Sequence, residues 1–218
     1  VAIGAVLDAR AESIERIVEE CASVIFDGGT IVFPNETSYG IACDPYRSES
    51  VDRVYRSKHR PDNRPLTFHV ATSVEFLEHA PGNALAILAA KRLLPGPVIL
   101  VVRKPAFVSD EVTAGMATLG FRVPDEPLAQ AILERCGPLA VTSANRSGEP
   151  PYRGGSHVAL PEADLLIENG PTRYQGEASI VDISGSPARM LREGLMSFDH
   201  VAQRLGPLER PVVKVRTK

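Results

Sequence analysis

The chain has 218 residues, 44% of them apolar, with 24 Lys and Arg set against 27 Asp and Glu for a net charge of −3 and a pI near 6.0. That is enough apolar material for one sizeable core, and the near-balance of charge leaves no global positive field to gather nucleic acid without specificity. Cys21, Cys43 and Cys136 have neither C-x-x-C nor Cys/His ligand spacing, which argues against a disulfide framework or a structural zinc and predicts a reducing, cytoplasmic setting. No basic leader precedes an apolar stretch and no window approaches the roughly 20 apolar residues of a membrane span, so a soluble, unexported chain is expected.

In chain order, Ala11 to Phe26 carries Ile14, Ile17, Val18, Cys21, Val24 and Ile25 at helical spacing, with Gly28-Gly29 as the stop. Thr30 to Phe33 is a short β-rich run cut by Pro34, and the polar stretch Asn35 to Tyr39 hangs from its end. A helix follows over Ser48 to Lys58, opened by Ser48 or Ser50, then a buried strand over Leu66 to Val70 and helices over Ser73 to His79 and Ala84 to Leu93. Beyond Pro95-Gly96-Pro97 come a strand at Val98 to Val102, a short strand at Gly120 to Val123, a helix over Leu128 to Cys136 and a strand at Leu139 to Thr142. Leu165 to Ile167, Ser179 to Asp182 and Ala188 to Leu191 complete the predicted strands, and Phe198 to Arg204 forms the last helix. Alternation of this kind predicts an α/β fold, a twisted open mixed sheet with flanking helices, with some antiparallel pairing after Ser179. Residues 1–206 are expected to form a single domain and 207–218 a C-terminal tail, with Gly148 to Ser156 a loop inside the domain.

Two clusters point to an anionic ligand. Lys58-His59-Arg60-Pro61 puts a compact ammonium and a planar guanidinium at a helix end, because Pro61 pushes Arg60 out of helical geometry. On spacing alone this is either an anion receptor or a solvated basic loop. Ser143 and Asn145 project past the carboxyl end of a strand, where α/β sheets bind ligands, though Ser and Asn there also commonly satisfy turns. Arg122 inside an apolar strand is costly without a counter-charge or ligand and makes a plausible carboxylate receptor, and Arg192 repeats the pattern of an Arg closing an apolar run. His69 ends a buried strand where a cavity can open, whereas His79 and His200 fall on helix surfaces and His157 has no ligand spacing. P-loop, dinucleotide-fold, nucleophile-elbow and zincin motifs are absent.

Taken in order, Phe-Pro-x-Glu-Thr-x-Tyr-Gly (33–40), Lys-x-Arg-Pro-x-x-x-Pro-Leu (58–66), Pro-Gly-Pro (95–97), Arg-x-Pro (122–124), Ser-x-Asn-x-Ser-Gly (143–148), Ser-Ile-Val-Asp (179–182) and Leu-Arg-x-Gly (191–194) resemble the YrdC-like family, whose characterised members are threonylcarbamoyl-AMP synthases. The resemblance implies a YrdC-like fold around a concave, positively lined cavity. It also implies a nucleotidyltransferase that converts L-threonine, bicarbonate and ATP to threonylcarbamoyl-AMP and pyrophosphate for threonylcarbamoyl adenosine (t6A) modification of tRNA. By that resemblance Lys58, Arg60, Ser143 and Asn145 form the catalytic set at the ATP phosphates. Thr37, His69 and Arg122 match threonine-binding positions, while Arg64, Thr118 and Arg192 join the nucleotide side. Mg2+ is implied through the ATP phosphates with no dedicated protein metal site, alongside partner proteins of tRNA modification and weak or no direct nucleic-acid binding. The chain departs from the pattern at Asn35, Ser38, Arg64, Ala178 and Ser179, which keeps two alternatives: a related carbamoyl-adenylate-forming enzyme with another substrate, or a non-catalytic RNA- or nucleotide-binding paralogue. It is expected to be the single-domain form.

Overall fold

The computed structural model describes residues 3–80, 84–155 and 160–210. Among these, seven helices cover an eleven-stranded mixed sheet in the order β1-β8-β2-β3-β7-β4-β6-β5-β9-β10-β11. The strands are β1 Ile3–Asp8, β2 Thr30–Phe33, β3 Gly40–Cys43, β4 Thr67–His69, β5 Val98–Arg103, β6 Thr118–Arg122, β7 Leu139–Ser143, β8 Ala163–Glu168, β9 Ser179–Asp182, β10 Ala188–Arg192 and β11 Leu208–Glu209. The helices are α1 Ile14–Phe26, α2 Ser48–Lys58, α3 Ser73–His79, α4 Ala84–Leu93, α5 Asp110–Thr113, α6 Pro127–Cys136 and α7 Phe198–Leu205.

Every helix of more than one turn lies where periodicity predicts it. α1 begins three residues later than expected, because Ser13 caps it by accepting from the Arg16 amide at 3.2 Å, leaving Ala11 and Glu12 in a turn on the Asp8 carbonyl. Neither Ser48 nor Ser50 caps α2. Arg47 holds the cap position, and the Ser50 hydroxyl instead donates to the Gly28 carbonyl at 2.9 Å, tying the helix to the preceding turn. β1, β3, α5 and β11 are not foreseen, being too short or too small-residued to show a period; Leu208 and Glu209, placed in the tail by sequence, pair with β10. The antiparallel pair after Ser179 is present as β9 and β10, but antiparallel ladders also join β2 to β3, β3 to β7, β7 to β4 and β5 to β6. His79 is half-buried rather than on the helix surface, stacked on Phe121 with ring centroids 6.4 Å apart and lying 5.5 Å from Phe107. His157 and the tail beyond Arg210 lie outside the described residues.

Two cores lie on opposite faces of the sheet. One face buries Val54, Phe68, Phe76, Leu100, Phe121, Val181 and Met190 under α2, α3, α4 and α7. On the other face α1 and α6 pack together over β2, β3, β7 and β8 through Ile17, Ile25, Ile31, Ala42, Ile132, Leu133 and Leu165. That second helical layer does not extend across the sheet. Strand alternation sends Thr67 and His69 of β4, Gly120 and Arg122 of β6, Ile99 and Val101 of β5 and Ile180 of β9 to the same face, where they line a cavity. The register sets these side chains side by side: His69 opposite Arg122, Thr67 opposite Gly120, Gly120 opposite Val101, and Ile99 opposite Ile180.

Candidate active site

The cavity holds about 430 Å³. Its floor is sheet, its apolar lining includes Ile99, Val101, Ile180, Met116 and Leu191, and its polar groups come from strand ends and loops, the usual construction of a small-ligand site. Gly120 is needed in that floor, since a Cβ there stands 2.8 Å from Ile99 Cγ2. Among the described residues five arginines line the walls, Arg60, Arg64, Arg122, Arg153 and Arg192, against a single carboxylate, Glu177. The lining is therefore cationic although the protein is acidic overall.

At the end formed by β4, β6 and the loop after β2, Arg122 is 6% exposed and donates from Nη2 to Thr37 Oγ1 at 2.8 Å. The same nitrogen lies 2.8 Å from Oε1 of Glu36, which is fully buried. This Glu36 contact is electrostatic and not an aligned hydrogen bond, since neither Glu36 oxygen has a hydrogen-bond partner. Arg122 Nε, His69 Nδ1 and Asn35 Oδ1 are also buried without partners among the described residues, and all three residues line the cavity. Burial first, and then the Arg122 charge, holds the His69 imidazole well below its ordinary pKa, so it is neutral at physiological pH. Folded proteins rarely leave such groups unpaired, so this wall is suited to a ligand carrying both acceptors and a donor.

Ser143 ends β7 and lines the cavity; its hydroxyl donates to Asn145 Oδ1 at 2.5 Å. The Asn145 amide in turn donates to the carbonyls of Arg146 and Glu149, each at 2.8 Å, which holds the loop in a tight turn. Lys58, the last residue of α2, is 1% exposed and directs its ammonium to the carbonyls of Ser143 and Asn145. Lys58 and Asn145 thus stand directly behind the lining rather than on it. Burial, and then the charge of Arg60, lowers the Lys58 ammonium to about 7, while the two carbonyls favour its charged form. Arg60 is braced from Nε to the Arg64 carbonyl at 2.9 Å and from Nη2 to the Pro65 carbonyl at 2.8 Å. Arg64 is exposed at the rim, and no hydrogen bond or ion pair of its side chain is found among the described residues.

On the remaining side, Arg192 donates twice to the Ala178 carbonyl, at 3.1 and 2.8 Å, and pairs with Glu177 at 3.0 Å. Thr118 lines the cavity from the first position of β6. Ser179 does not line it: its hydroxyl donates to the Met196 carbonyl and accepts the Gly194 and Met196 amides, so this departure from the family pattern is spent on a turn. Sequence reasoning missed Arg153, Glu177 and Met116. Arg153 donates from Nε to the Thr37 carbonyl at 3.3 Å and arrives on the loop after Gly148, whose Pro and Gly content signals a loop but not where it lies. Tyr39, also on the wall, hydrogen-bonds through its hydroxyl to Glu168 and Gly170, and its ring centroid lies 4.7 Å from that of Tyr152.

Among the described residues no group of three or more His, Cys, Asp or Glu is arranged to hold a metal, and no helix is long and apolar enough to cross a membrane. Cys21, Cys43 and Cys136 are free thiols.

Comparison with known proteins places this geometry. The chain is similar to the threonylcarbamoyl-AMP synthase of Bacillus subtilis, 32% identical over an alignment that covers 88% of this chain and 57% of that protein. It is 31% identical to the enzyme of that name from Pyrococcus abyssi, over 93% of this chain and 61% of that protein, so it spans less than two thirds of either relative. A putative threonylcarbamoyl-AMP synthase of Mycobacterium tuberculosis is 31% identical over 89% of this chain and 92% of its own length. Among solved structures, P. abyssi Sua5 complexed with L-threonine superposes with a TM-score of 0.85 at 30% identity, over 96% of this chain and 62% of that one. Escherichia coli YciO shares the fold at a TM-score of 0.76 and 22% identity, over 89% of this chain and 97% of that one. The family described as Telomere recombination, which groups Sua5, YciO and YrdC, matches residues 23–194. With that match spanning most of the sequence and the cavity built from its motifs, the chain belongs to the Sua5, YciO and YrdC family.

Proposed function

We propose that the protein is an L-threonylcarbamoyladenylate synthase, acting on L-threonine, bicarbonate and ATP in the cytoplasm and serving tRNA t6A modification. The observation that carries this reading is one cavity joining an amino-acid-sized cluster, Arg122 with Thr37, His69 and Asn35, to a phosphate-sized one around Arg60, Arg64 and Ser143. The relative crystallised with L-threonine supports the assignment.

In this reading Arg122 receives the threonine carboxylate with its planar fork, and Glu36 holds that fork in place. The threonine amine and bicarbonate give N-carboxythreonine with loss of water. Its new carboxylate oxygen attacks the α-phosphorus of ATP, the bond from that phosphorus to the bridging oxygen breaks, and pyrophosphate leaves with the electron pair. Two anions must approach each other, so the cationic wall is the main catalytic contribution: Arg60, Arg64 and Arg192 offset the charge on the nucleotide side, and Thr118 lies beside them. Ser143 lines the wall beside the phosphates with its hydroxyl proton held by Asn145, and Lys58 ties the Ser143 and Asn145 carbonyls together and brings a positive charge behind them. Mg2+ would be carried by the nucleotide and would offset part of the phosphate charge. The one wall carboxylate, Glu177, is already paired with Arg192, a donor set that suits a cation carried on phosphates and needing few protein ligands.

Incubation with ATP, L-threonine, bicarbonate and magnesium is expected to release pyrophosphate only when all are present. Release without threonine, or none at all, would overturn the reading. A response to a different amino acid would instead support the related adenylate-forming enzyme, for which the unpartnered Asn35 Oδ1 at the cavity is the specific observation.

A further inference from the structure

A second cavity, of about 310 Å³, opens on the other side of the Lys58 wall, between the last turns of α2 and the loop after β7. Among the described residues Arg53, Arg56, His59 and Arg146 line it, with Glu162 as the one carboxylate. Arg53 is already committed, to Asp164 at 2.8 Å and to the Gly28 carbonyl at 3.3 Å. Arg56 and Arg146 are not: among the described residues neither side chain has a hydrogen bond or ion pair, and Arg146 Nε is buried without an acceptor. A buried guanidinium N–H costs stability unless something accepts from it.

His59 stands beside them. It ends α2 in the left-handed region, φ 49° and ψ 44°, a place glycine fills without strain. Histidine is one of the few other residues that enter this region, and here its imidazole lines the cavity. The α2 carboxyl end itself opposes an anion, so the guanidinium groups and not the helix dipole must carry the binding.

We propose that this cavity binds a phosphoryl oxyanion, with Arg56 and Arg146 as its planar forks and His59 as a further donor. It is a site apart from the threonine and nucleotide cavity, and the proposal does not rest on the function given above. A ligand here would also bear on Lys58, because the Ser147 amide donates to the Lys58 carbonyl at 2.9 Å and the Lys58 ammonium is held by the carbonyl of Asn145, next to Arg146.

The test is a titration of the full, 15N-labelled chain with inorganic phosphate at constant ionic strength, following the Arg146 Nε–H and the His59 and Ser147 amides by NMR. Saturable shifts at these signals are expected, with the midpoint raised by at least about ten-fold in an Arg56→Gln/Arg146→Gln double variant that loses both charge-assisted forks. Arg60→Ala, in the other cavity, should leave that midpoint unchanged. Arg56→Gln alone, at an exposed side chain, tests the same direction if the double variant folds poorly. A parallel titration with a short RNA hairpin separates the sources: shifts from the hairpin and not from phosphate, weakening steeply with salt, assign the site to polynucleotide phosphates. No shift with either ligand, or shifts that the double variant leaves intact, would overturn the proposal.

Discussion

The two ends of the main cavity are finished differently. At the Ser143 end Lys58, Arg60 and Asn145 bind the protein's own carbonyls and Ser143 binds Asn145, whereas at the Arg122 end Arg122 Nε, His69 Nδ1 and Asn35 Oδ1 are buried with no partner. The first end is rigid before any ligand arrives, as a wall that stabilises developing charge must be. The second is completed by what it binds, as a wall that selects a substrate must be. Substitutions at the two ends should therefore fail in different ways.

The largest effect is expected at Arg122. Arg122→Leu leaves the Glu36 carboxylate fully buried without a counter-charge and should cost about 3–5 kcal/mol of stability as well as threonine binding. Urea unfolding and threonine calorimetry measure the two losses separately. Adding Glu36→Gln should recover most of the stability and none of the binding; recovered binding would show that Arg122 is not the carboxylate receptor.

Next is Lys58→Ala, which removes the charge and the tie behind Ser143 and should lower turnover by roughly 100-fold, the size of effect that misplacing a group at the reacting centre can have. Threonine affinity should stay near that of the wild type. A rise in KM for threonine with unchanged kcat would contradict the division between the two ends.

Lys58 also predicts a pH dependence of stability. Its ammonium titrates near 7 in the folded chain against an ordinary value of 10.5, so between those values the unfolded chain holds a proton that the folded chain lacks. Stability from this group therefore rises with pH across that window, and below it the cost of burying the charged ammonium is felt in full. Lys58→Met should flatten the curve between the two values in denaturant midpoints measured across pH; an unchanged slope would place the ammonium's pKa elsewhere.

Smaller effects belong to the departures from the family pattern. Arg64→Asn removes an exposed, unbraced cation and should weaken ATP binding by about 1 kcal/mol at low salt and less at high salt. Asn35→Thr replaces the unpartnered amide oxygen with a hydroxyl and should change threonine kcat/KM by about 1 kcal/mol, the net worth of one hydrogen bond. An equal effect on serine and threonine would locate that bond away from the methyl-bearing side chain.

Much of the fold is legible in the chain. The helix boundaries over Ser73–His79 and Ala84–Leu93 follow from apolar spacing, and Thr30–Phe33 and Ser179–Asp182 follow from β-branched runs closed by Pro34 and by Asp182 with the Ser184-Gly185-Ser186-Pro187 turn beyond it. β3 escapes because Gly40, Ile41, Ala42 and Cys43 carry no alternating polar face; it is buried on both sides and held by β2 and β7, partners that local sequence does not name. At the site, the cations on strand ends stand out because an arginine in an apolar run is costly, which brings Arg122 and Arg192 to notice. Arg153 and Glu177 do not stand out, since each sits among ordinary loop residues and gains its role only by folding back over the sheet.

The sequence by itself determined the helices, most strands, the α/β class and, through an ordered series of short motifs, the family and the candidate residues. These follow from local periods and from side-chain chemistry, which the chain carries in any conformation. Only the tertiary structure decided that α1 and α6 cover just part of one sheet face, so that Thr67, His69, Ile99, Gly120, Arg122 and Ile180 line a cavity instead of a core. It also decided that Lys58 turns its ammonium to the carbonyls of Ser143 and Asn145, and that Arg56 and Arg146 meet across a second cavity. The physical reason is that strand order and register are set by contacts between distant segments, and a shift of one residue would send each strand-borne lining side chain to the opposite face.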